Sequence, residues 1–169
     1  SLYSGDIQYP FYCMTVDSGL GQPLVDNQQG YGVPVYDDIL KPTKLLGFAK
    51  DCNIATRIDY YSLTQQGEIT KLTLKEVANL SENSQSMLLR VEQGTINRFI
   101  YTVVMPINND EVGSRLAQSQ WNKRLIYQFN GGSGIGYRQG KQKAKRVIAR
   151  QYQQLLDGYA VISSSGNKT

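Results

Sequence analysis

Strand-like patterns dominate the middle of the chain. Four segments are predicted as strands. Arg57–Leu63 is rich in β-branched and aromatic residues, Glu68–Leu74 alternates with period two, and Met87–Glu92 and Asn97–Met105 follow. Gln93–Thr95 is predicted as a turn, and Pro106 is predicted to end the last of these strands, because proline cannot donate to a sheet ladder. This series favours a run of antiparallel strands.

A different pattern follows. The apolar run Leu125–Phe129 predicts a buried strand, and a second apolar run occupies Tyr159–Ile162. Between them, apolar residues with helical spacing predict one amphipathic helix: Ala144, Val147, Ile148, Tyr152, Leu155 and Leu156. Gly158 fits the position just past a helix end. The segment therefore predicts a parallel strand–helix–strand crossover, and the chain is expected to have an α/β fold.

Residues 1–56 are expected to form a loop-rich lead-in segment, since proline and glycine recur there and no stretch has helical periodicity. The chain's two cysteines, Cys13 and Cys52, both lie in this segment. A disulfide between them is one interpretation; it would add roughly 3–4 kcal/mol and would imply an oxidising compartment. Two separate buried thiols are the alternative.

The composition indicates a globular domain, with 169 residues, 40% hydrophobic and 19% charged. No apolar run approaches the roughly 20 residues that span a bilayer, so no membrane span is predicted. The formal net charge is +4, and basic residues cluster around the start of the predicted helix at Lys141, Lys143, Lys145, Arg146 and Arg150. A solvated face is favoured over an acidic neighbouring segment or a nucleic-acid surface, since no nucleic-acid-binding motif accompanies the cluster.

The chain has no histidine. A Ser-His-Asp or Cys-His triad cannot be completed within it, and histidine-containing metal sites are excluded. Asp26, Asp37 and Asp38 lack the spacing of a calcium loop. We therefore predict no metal, no cofactor and no complete catalytic machinery in these residues.

The turn after Phe129 is the candidate functional element. It contains five glycines: Gly131, Gly132, Gly134, Gly136 and Gly140. Glycine lets a ligand approach the backbone closely, and free N–H groups near a helix start can stabilise an anion or an oxyanion. Because ligands bind at the carboxyl ends of parallel strands, the turn is expected to lie where a ligand would bind. The structural alternative is a turn that only permits tight packing.

Three functional interpretations of this turn compete. A dinucleotide site would need an acidic residue at the end of the next strand, but that strand ends in Ser163–Ser165. A phosphate loop would need Ser or Thr after Gly140-Lys141, and Gln142 stands there. An oxyanion loop of an α/β-hydrolase needs a strand, glycines and a helix, followed by a nucleophile on a later strand, and the pattern agrees with this as far as it goes.

Motifs along nearly the whole chain resemble a family of bacterial secreted proteins that groups with tannase-like and hydroxybutyrate-oligomer-hydrolase-like α/β-hydrolases. They are Ser4-Gly5, Tyr9–Cys13, Gly19–Asp26, Gly47–Cys52, Thr56–Tyr60, Arg90–Arg98, Trp121–Ile126 and Gly158–Ser165. The resemblance implies that residues 57–169 are the first part of an α/β-hydrolase domain, with antiparallel early strands leading into the parallel unit. It also implies that a β-rich domain precedes the chain and that the nucleophile, acid and histidine follow it.

On this resemblance, Gly131, Gly132, Ser133 and Gly134 form the oxyanion loop, and the lead-in contains the Cys13–Cys52 disulfide. Ser133 departs from the cysteine that is common at this position in the family. The expected function is part of a secreted, periplasmic or cell-surface serine hydrolase that acts on carboxylic esters, with no catalytic residue in this chain. The expected partner is the remainder of the polypeptide or a second cleaved chain. A non-catalytic hydrolase-like scaffold is the alternative, and a dinucleotide-binding domain is a lesser one.

Overall fold

The computed structural model describes residues 12–15, 23–25, 34–49, 53–79, 86–96, 99–108, 120–129 and 142–166. Ten strands and two helices lie in these ranges. In chain order they are β1 (Tyr12–Thr15), β2 (Pro23–Val25), β3 (Pro34–Tyr36), β4 (Leu45–Phe48), β5 (Arg57–Leu63), β6 (Ile69–Leu72), α1 (Leu74–Ala78), β7 (Met87–Ile96), β8 (Phe99–Ile107), β9 (Leu125–Tyr127), α2 (Ala144–Leu156) and β10 (Ala160–Ser164). Within these residues, neither helix is long and apolar enough to cross a membrane.

A six-stranded mixed sheet with the order β6-β5-β7-β8-β10-β9 contains the later strands. Neighbours from β6 to β10 pair antiparallel, and β9 pairs parallel with β10. Two small antiparallel pairs, β1–β2 and β3–β4, precede the sheet within the segment predicted to be loop-rich. The predicted antiparallel strands and parallel strand–helix–strand unit are confirmed, and the fold is mixed α/β.

Helix α2 covers one face of the central strands. Its buried residues Val147, Ile148 and Leu155 pack in one cluster with Val91 of β7, Val104 of β8 and Val161 of β10, all of which are less than about 3% exposed. The helical spacing of these apolar side chains explains why α2 forms and which face it buries. The helix ends where Gly158 takes φ +85°, as predicted from its position.

Strand β7 runs through the predicted turn at Gln93–Thr95 and pairs with β8 from Leu88 to Ile96. Gly94 is needed there for a packing reason, because a Cβ atom at Gly94 would lie 2.9 Å from the Tyr101 ring and from the Thr56 hydroxyl. Strand β8 likewise continues through Pro106. β10 pairs with β8 only as far as Val104, so Pro106 lies beyond the part of β8 that is flanked on both sides.

Helix α1 was not predicted, because Leu74 continued the alternation of the preceding strand. A local signal was present: Thr73 and Glu76 form a capping box in which each side chain binds the backbone N–H of the other residue. Val77 of this helix is buried against Tyr60 and Leu88, on the face of the sheet opposite α2. The short helix thus closes the second face of the sheet at one end.

Asp37 stabilises the connection between β3 and β4 through its carboxylate, and its backbone carbonyl accepts a hydrogen bond from Arg57 of β5. Its carboxylate accepts hydrogen bonds from the hydroxyl and N–H of Thr43 and from the N–H of Lys44, at 2.5–3.0 Å. The Thr43 hydroxyl, followed by these two N–H groups, holds the pKa of Asp37 well below its usual range. Arg57 donates to the carbonyls of Tyr36 and Asp37 and forms an ion pair with Asp59 at 2.7 Å.

The next residue, Asp38, also links this connection to β5. Its carboxylate accepts from the N–H groups of Leu40 and Lys41 and from the Tyr61 hydroxyl, at 2.7–2.9 Å. Burial opposes ionisation of Asp38, but these donors and the charge of Lys71 outweigh it and lower the pKa. Burial, reinforced by Asp38 and Asp59, raises the pKa of Tyr61. Residues 34–49 are therefore bound to β5 and β6 by hydrogen bonds and an ion pair as well as by apolar contacts.

We predict that Asp37→Asn lowers stability at pH 7 and removes part of its pH dependence. A carboxylate whose pKa is depressed in the folded state stabilises the fold above its unfolded pKa of about 3.9, and this contribution is lost as the pH falls towards the folded value. Urea unfolding of the wild type and the variant at pH 7, 5, 4 and 3 measures this. The difference between them is expected to shrink below about pH 4.

The matched control is Asp157→Asn, since Asp157 is an exposed residue just after α2 and its carboxylate has no hydrogen bond or ion pair among the described residues. Its stability profile should follow that of the wild type at every pH. An Asp37→Asn profile that stays parallel to the wild type down to pH 3 would contradict the prediction.

Gly158→Ala is expected to destabilise the protein by roughly 1–2 kcal/mol, because an L-residue is strained at this left-handed conformation. A Cβ atom here would also lie 2.8 Å from the Gln120 carbonyl oxygen. Gly47→Ala is the control, since nothing lies within 4 Å of its Cβ position and its φ is not positive. Urea midpoints of the two variants measure the difference, and equal midpoints would show that Gly158 is not constrained.

Candidate functional site

The carboxyl ends of β9 and β10 lie at one edge of the sheet, because the two strands are parallel neighbours. Residues 130–141 connect that edge to the start of α2. The predicted oxyanion-loop residues Gly131, Gly132, Ser133 and Gly134 lie outside the described residues, as does Cys52. The described part of the site consists of the strands and the helix on either side of this glycine-rich segment.

Strand pairing places two rows of side chains across the α2-facing side of the sheet. Val91 pairs with Val104, Val104 with Val161, and Val161 with Ile126. These four residues form an apolar row under α2. Side chains on one face repeat every second residue, so the next row towards the carboxyl edge is two positions further along β7, β9 and β10, and two positions back along β8.

That next row is entirely polar. We call Gln93, Thr102, Ser163 and Gln128 the polar row. Register joins Gln93 to Thr102 and Thr102 to Ser163. Thr102 and Ser163 are 0% exposed and Gln128 is 5% exposed. The apolar core under α2 thus changes to buried polar chemistry one row before the glycine-rich segment begins, at the edge where α/β proteins bind ligands.

Hydrogen bonds connect the polar row to the backbone. The Ser163 hydroxyl donates to the Gln128 carbonyl at 2.9 Å, and the Gln128 N–H donates to the Ile162 carbonyl at 2.8 Å. On the central strands, the Gln93 side-chain amide donates to the Thr102 hydroxyl at 3.4 Å. The two bonds of the Gln128 backbone fix the end of β9 against β10.

Hydrogen bonds to β8 hold the residue that follows β10. The Ser165 N–H donates to the Ile100 carbonyl at 2.7 Å, and the Ile100 N–H donates to the Ser165 hydroxyl at 2.9 Å. Phe99 packs on Gly166, where a Cβ atom would lie 2.8 Å from the ring. Ser163 and Ser165 are buried and hydrogen-bonded, so the geometry gives them a structural place rather than that of an exposed nucleophile.

The opposite face carries a charged group at the same edge. Glu92 accepts from Arg90 at 2.6 Å and from the Tyr101 hydroxyl at 2.8 Å. Burial first, and then the hydrogen bond to Glu92, raises the pKa of Tyr101. Tyr101 reaches Glu92 across Gly94, which explains the close approach of its ring to that glycine.

Strand β9 has apolar side chains on both faces. Ile126 joins the core under α2, whereas Leu125, Tyr127 and Phe129 point to the other side and are 60%, 42% and 70% exposed. The rings of Tyr127 and Phe129 lie 4.6 Å apart between centroids. Strands of parallel sheets are ordinarily covered on both faces, so this apolar surface of β9 is unusual for its position.

At the other end of the glycine-rich segment, α2 begins with basic residues. Lys143, Lys145, Arg146 and Arg150 are exposed, and among the described residues none of them forms an ion pair. The helix has no acidic residue in its first turn and no side-chain N-cap. This agrees with the predicted solvated basic face and leaves positive charge near the candidate site.

The dinucleotide interpretation of the turn lacks a residue that it needs. A dinucleotide site would need an acid after β10, but Ser164 is followed there by Ser165 and Gly166. Sequence reasoning missed the polar row, because its members are distant in the chain and only the strand register brings them together. The one local signal was a run of serines at the end of an apolar strand.

This arrangement, a mixed sheet with a parallel strand–helix–strand crossover, defines a mixed α/β protein. Its buried polar residues lie at the carboxyl edge of the parallel strands, where proteins of this class bind ligands. A model of a tannase-like family of unknown function matches the chain over residues 1–169. The chain belongs to this family, as its motifs had indicated. No curated protein and no solved structure showed significant similarity to it.

Proposed function

We propose that the chain is the first part of a secreted serine hydrolase that acts on carboxylic esters, and that it contributes the oxyanion loop. The observation that carries the proposal is the order of elements at the candidate site. Counted from β7, β9 is the third strand, residues 130–141 follow it, and α2 comes next. In α/β-hydrolases one oxyanion donor is a backbone N–H on the loop between the third strand and the first helix.

The sheet order supports the same proposal. The fourth strand in this count, β10, lies between the second and the third, and the second strand is antiparallel to it. The resemblance implied antiparallel early strands that lead into a parallel unit, and this order agrees with it. Membership of a tannase-like family supports kinship with hydrolases.

In this proposal Gly131, Gly132, Ser133 and Gly134 supply the backbone N–H groups that bind the developing oxyanion. The chain has no histidine, so the general base belongs to sequence outside these 169 residues, together with the nucleophilic serine and its acid partner. Residues 57–169 then form the first part of the hydrolase domain, and residues 1–56 form a lead-in closed by a Cys13–Cys52 disulfide, in keeping with secretion.

The exposed side of β9 is where the rest of the domain would pack. Among the described residues β9 pairs only with β10, and Leu125, Tyr127 and Phe129 are exposed. A further strand beside β9 and a helix over these side chains would give the strand the two-sided burial that parallel sheets require. The remainder of the polypeptide, or a second cleaved chain, supplies both in this proposal.

The direct test is labelling of the complete native protein with a fluorophosphonate probe, followed by intact-mass and peptide mass spectrometry. We expect the probe on a serine outside residues 1–169, on the same polypeptide or on a co-purifying chain. Removal of that serine by a Ser→Ala change should abolish both labelling and turnover of a simple aryl ester. Absence of labelling in the complete protein would overturn the hydrolase proposal and favour the non-catalytic scaffold.

Gly132→Pro tests the oxyanion donor in the complete protein. Proline lacks the backbone N–H, and loss of one oxyanion donor lowers kcat about 100- to 1000-fold. Gly132→Ala is the matched control, since it keeps the N–H and is expected to retain more activity than the proline variant. Ester turnover gives kcat and KM, and circular dichroism with urea unfolding checks the fold. Full turnover by a folded Gly132→Pro protein would show that Gly132 is not the donor.

A further inference from the structure

We infer that Ser163 is a positioning residue: its hydroxyl holds the carbonyl of Gln128 and so fixes where the glycine-rich segment leaves the sheet. The bond is 2.9 Å long, and both residues are buried. The inference deepens the proposed function. The effect of Ser163 on catalysis rests on the proposal that the glycine-rich segment is an oxyanion loop. The anchoring itself can be tested without any activity.

The bond lies where the parallel ladder ends. The Gln128 N–H still donates to the Ile162 carbonyl, one residue beyond the last residue of β9. The carbonyl of the same residue accepts a hydrogen bond from a side chain, the hydroxyl of Ser163. A parallel ladder bonds its groups through the backbone, so this side-chain bond, one residue beyond the last residue of β9, lies where the chain leaves the sheet.

Ser163 itself has little freedom to move. β10 lies between β8 and β9, and Ser163 pairs with Thr102 of β8. Its side chain is 0% exposed in a strand whose neighbouring position on the same face is the core residue Val161. A buried hydroxyl is unfavourable unless it is hydrogen-bonded, so a serine here is better explained by its bond to Gln128 than by packing.

The consequence for the site is geometric. Gln128 stands three positions before Gly131, the first glycine of the proposed oxyanion loop. Catalytic donors must be held within about 0.5 Å of their productive positions by a supporting shell on rigid elements. The Ser163 hydroxyl lies on β10, inside the sheet, and binds the Gln128 carbonyl shortly before the proposed loop. It can therefore serve as part of that supporting shell.

The test compares Ser163→Ala with Ser164→Ala in the complete protein. Ser164 is the matched control, because it is the adjacent serine on the other face of β10 and its hydroxyl accepts a bond from the Gly166 N–H at 3.2 Å. Amide hydrogen exchange by mass spectrometry is read on peptides covering residues 125–134. Ser163→Ala should accelerate exchange there roughly 3- to 10-fold, the factor expected for loss of one hydrogen bond, and leave β5 unchanged.

Kinetics then relate the anchor to catalysis. With an aryl ester, we expect Ser163→Ala to lower kcat while KM stays within about twofold, since the loop would act in the transition state rather than in substrate binding. Ser164→Ala should leave both unchanged. Should the alanine variant fail to fold, Ser163→Cys keeps the approximate size and weakens the donor, and it is expected to show the same exchange change in smaller measure.

The outcomes separate the two ideas. Unchanged exchange at residues 125–134 in the Ser163 variants, or an equal change in Ser164→Ala, overturns the anchor even if the protein is an active hydrolase. Faster exchange confined to the Ser163 variants supports the anchor, and it does so even in a protein that no fluorophosphonate labels. In that last case the proposed hydrolase fails and the anchor stands as a structural feature.

Discussion

The parallel pairing of β9 with β10 is the constraint on which the rest of the described structure depends. Two strands that run in the same direction cannot be joined by a tight turn, so the chain must cross one face of the sheet between them. Helix α2 makes that crossing and buries Val147, Ile148 and Leu155 against the central strands. The same pairing brings both carboxyl ends to one edge, and the glycine-rich segment follows β9 in the chain.

Local sequence signals predicted the elements whose patterns are continuous. The helical spacing from Ala144 to Leu156 and the glycine at position 158 predicted α2 and its end, and Arg57–Leu63 matches β5 residue for residue. The predicted turn at Gln93–Thr95 was wrong, because Gly94 lacks a side chain to make room for Tyr101 and not to form a turn. The capping box that starts α1 was readable from Thr73 and Glu76, but the alternation before it concealed the helix.

The candidate site was predictable only in part. The position of the glycine-rich segment after an apolar strand predicted a site at the carboxyl edge of the parallel unit, whereas the polar row could not be found from sequence. Thr102 and Ser163 become neighbours through pairing between strands that are far apart in the chain. No periodicity reports such a pairing, because register is set by the fold as a whole and by the side chains that each face must bury. The proposed loop residues themselves lie outside the described structure.

The position of β10 also sets an order of events when the chain folds. β9 is made before β10, yet its partner in the described sheet is β10, which lies between β9 and β8. During synthesis β9 therefore has no partner in the described sheet until α2 and β10 have followed, and long-range pairings of this kind form slowly. We therefore expect β9 to be among the last strands of this sheet to pair, in the same step that buries Ser163.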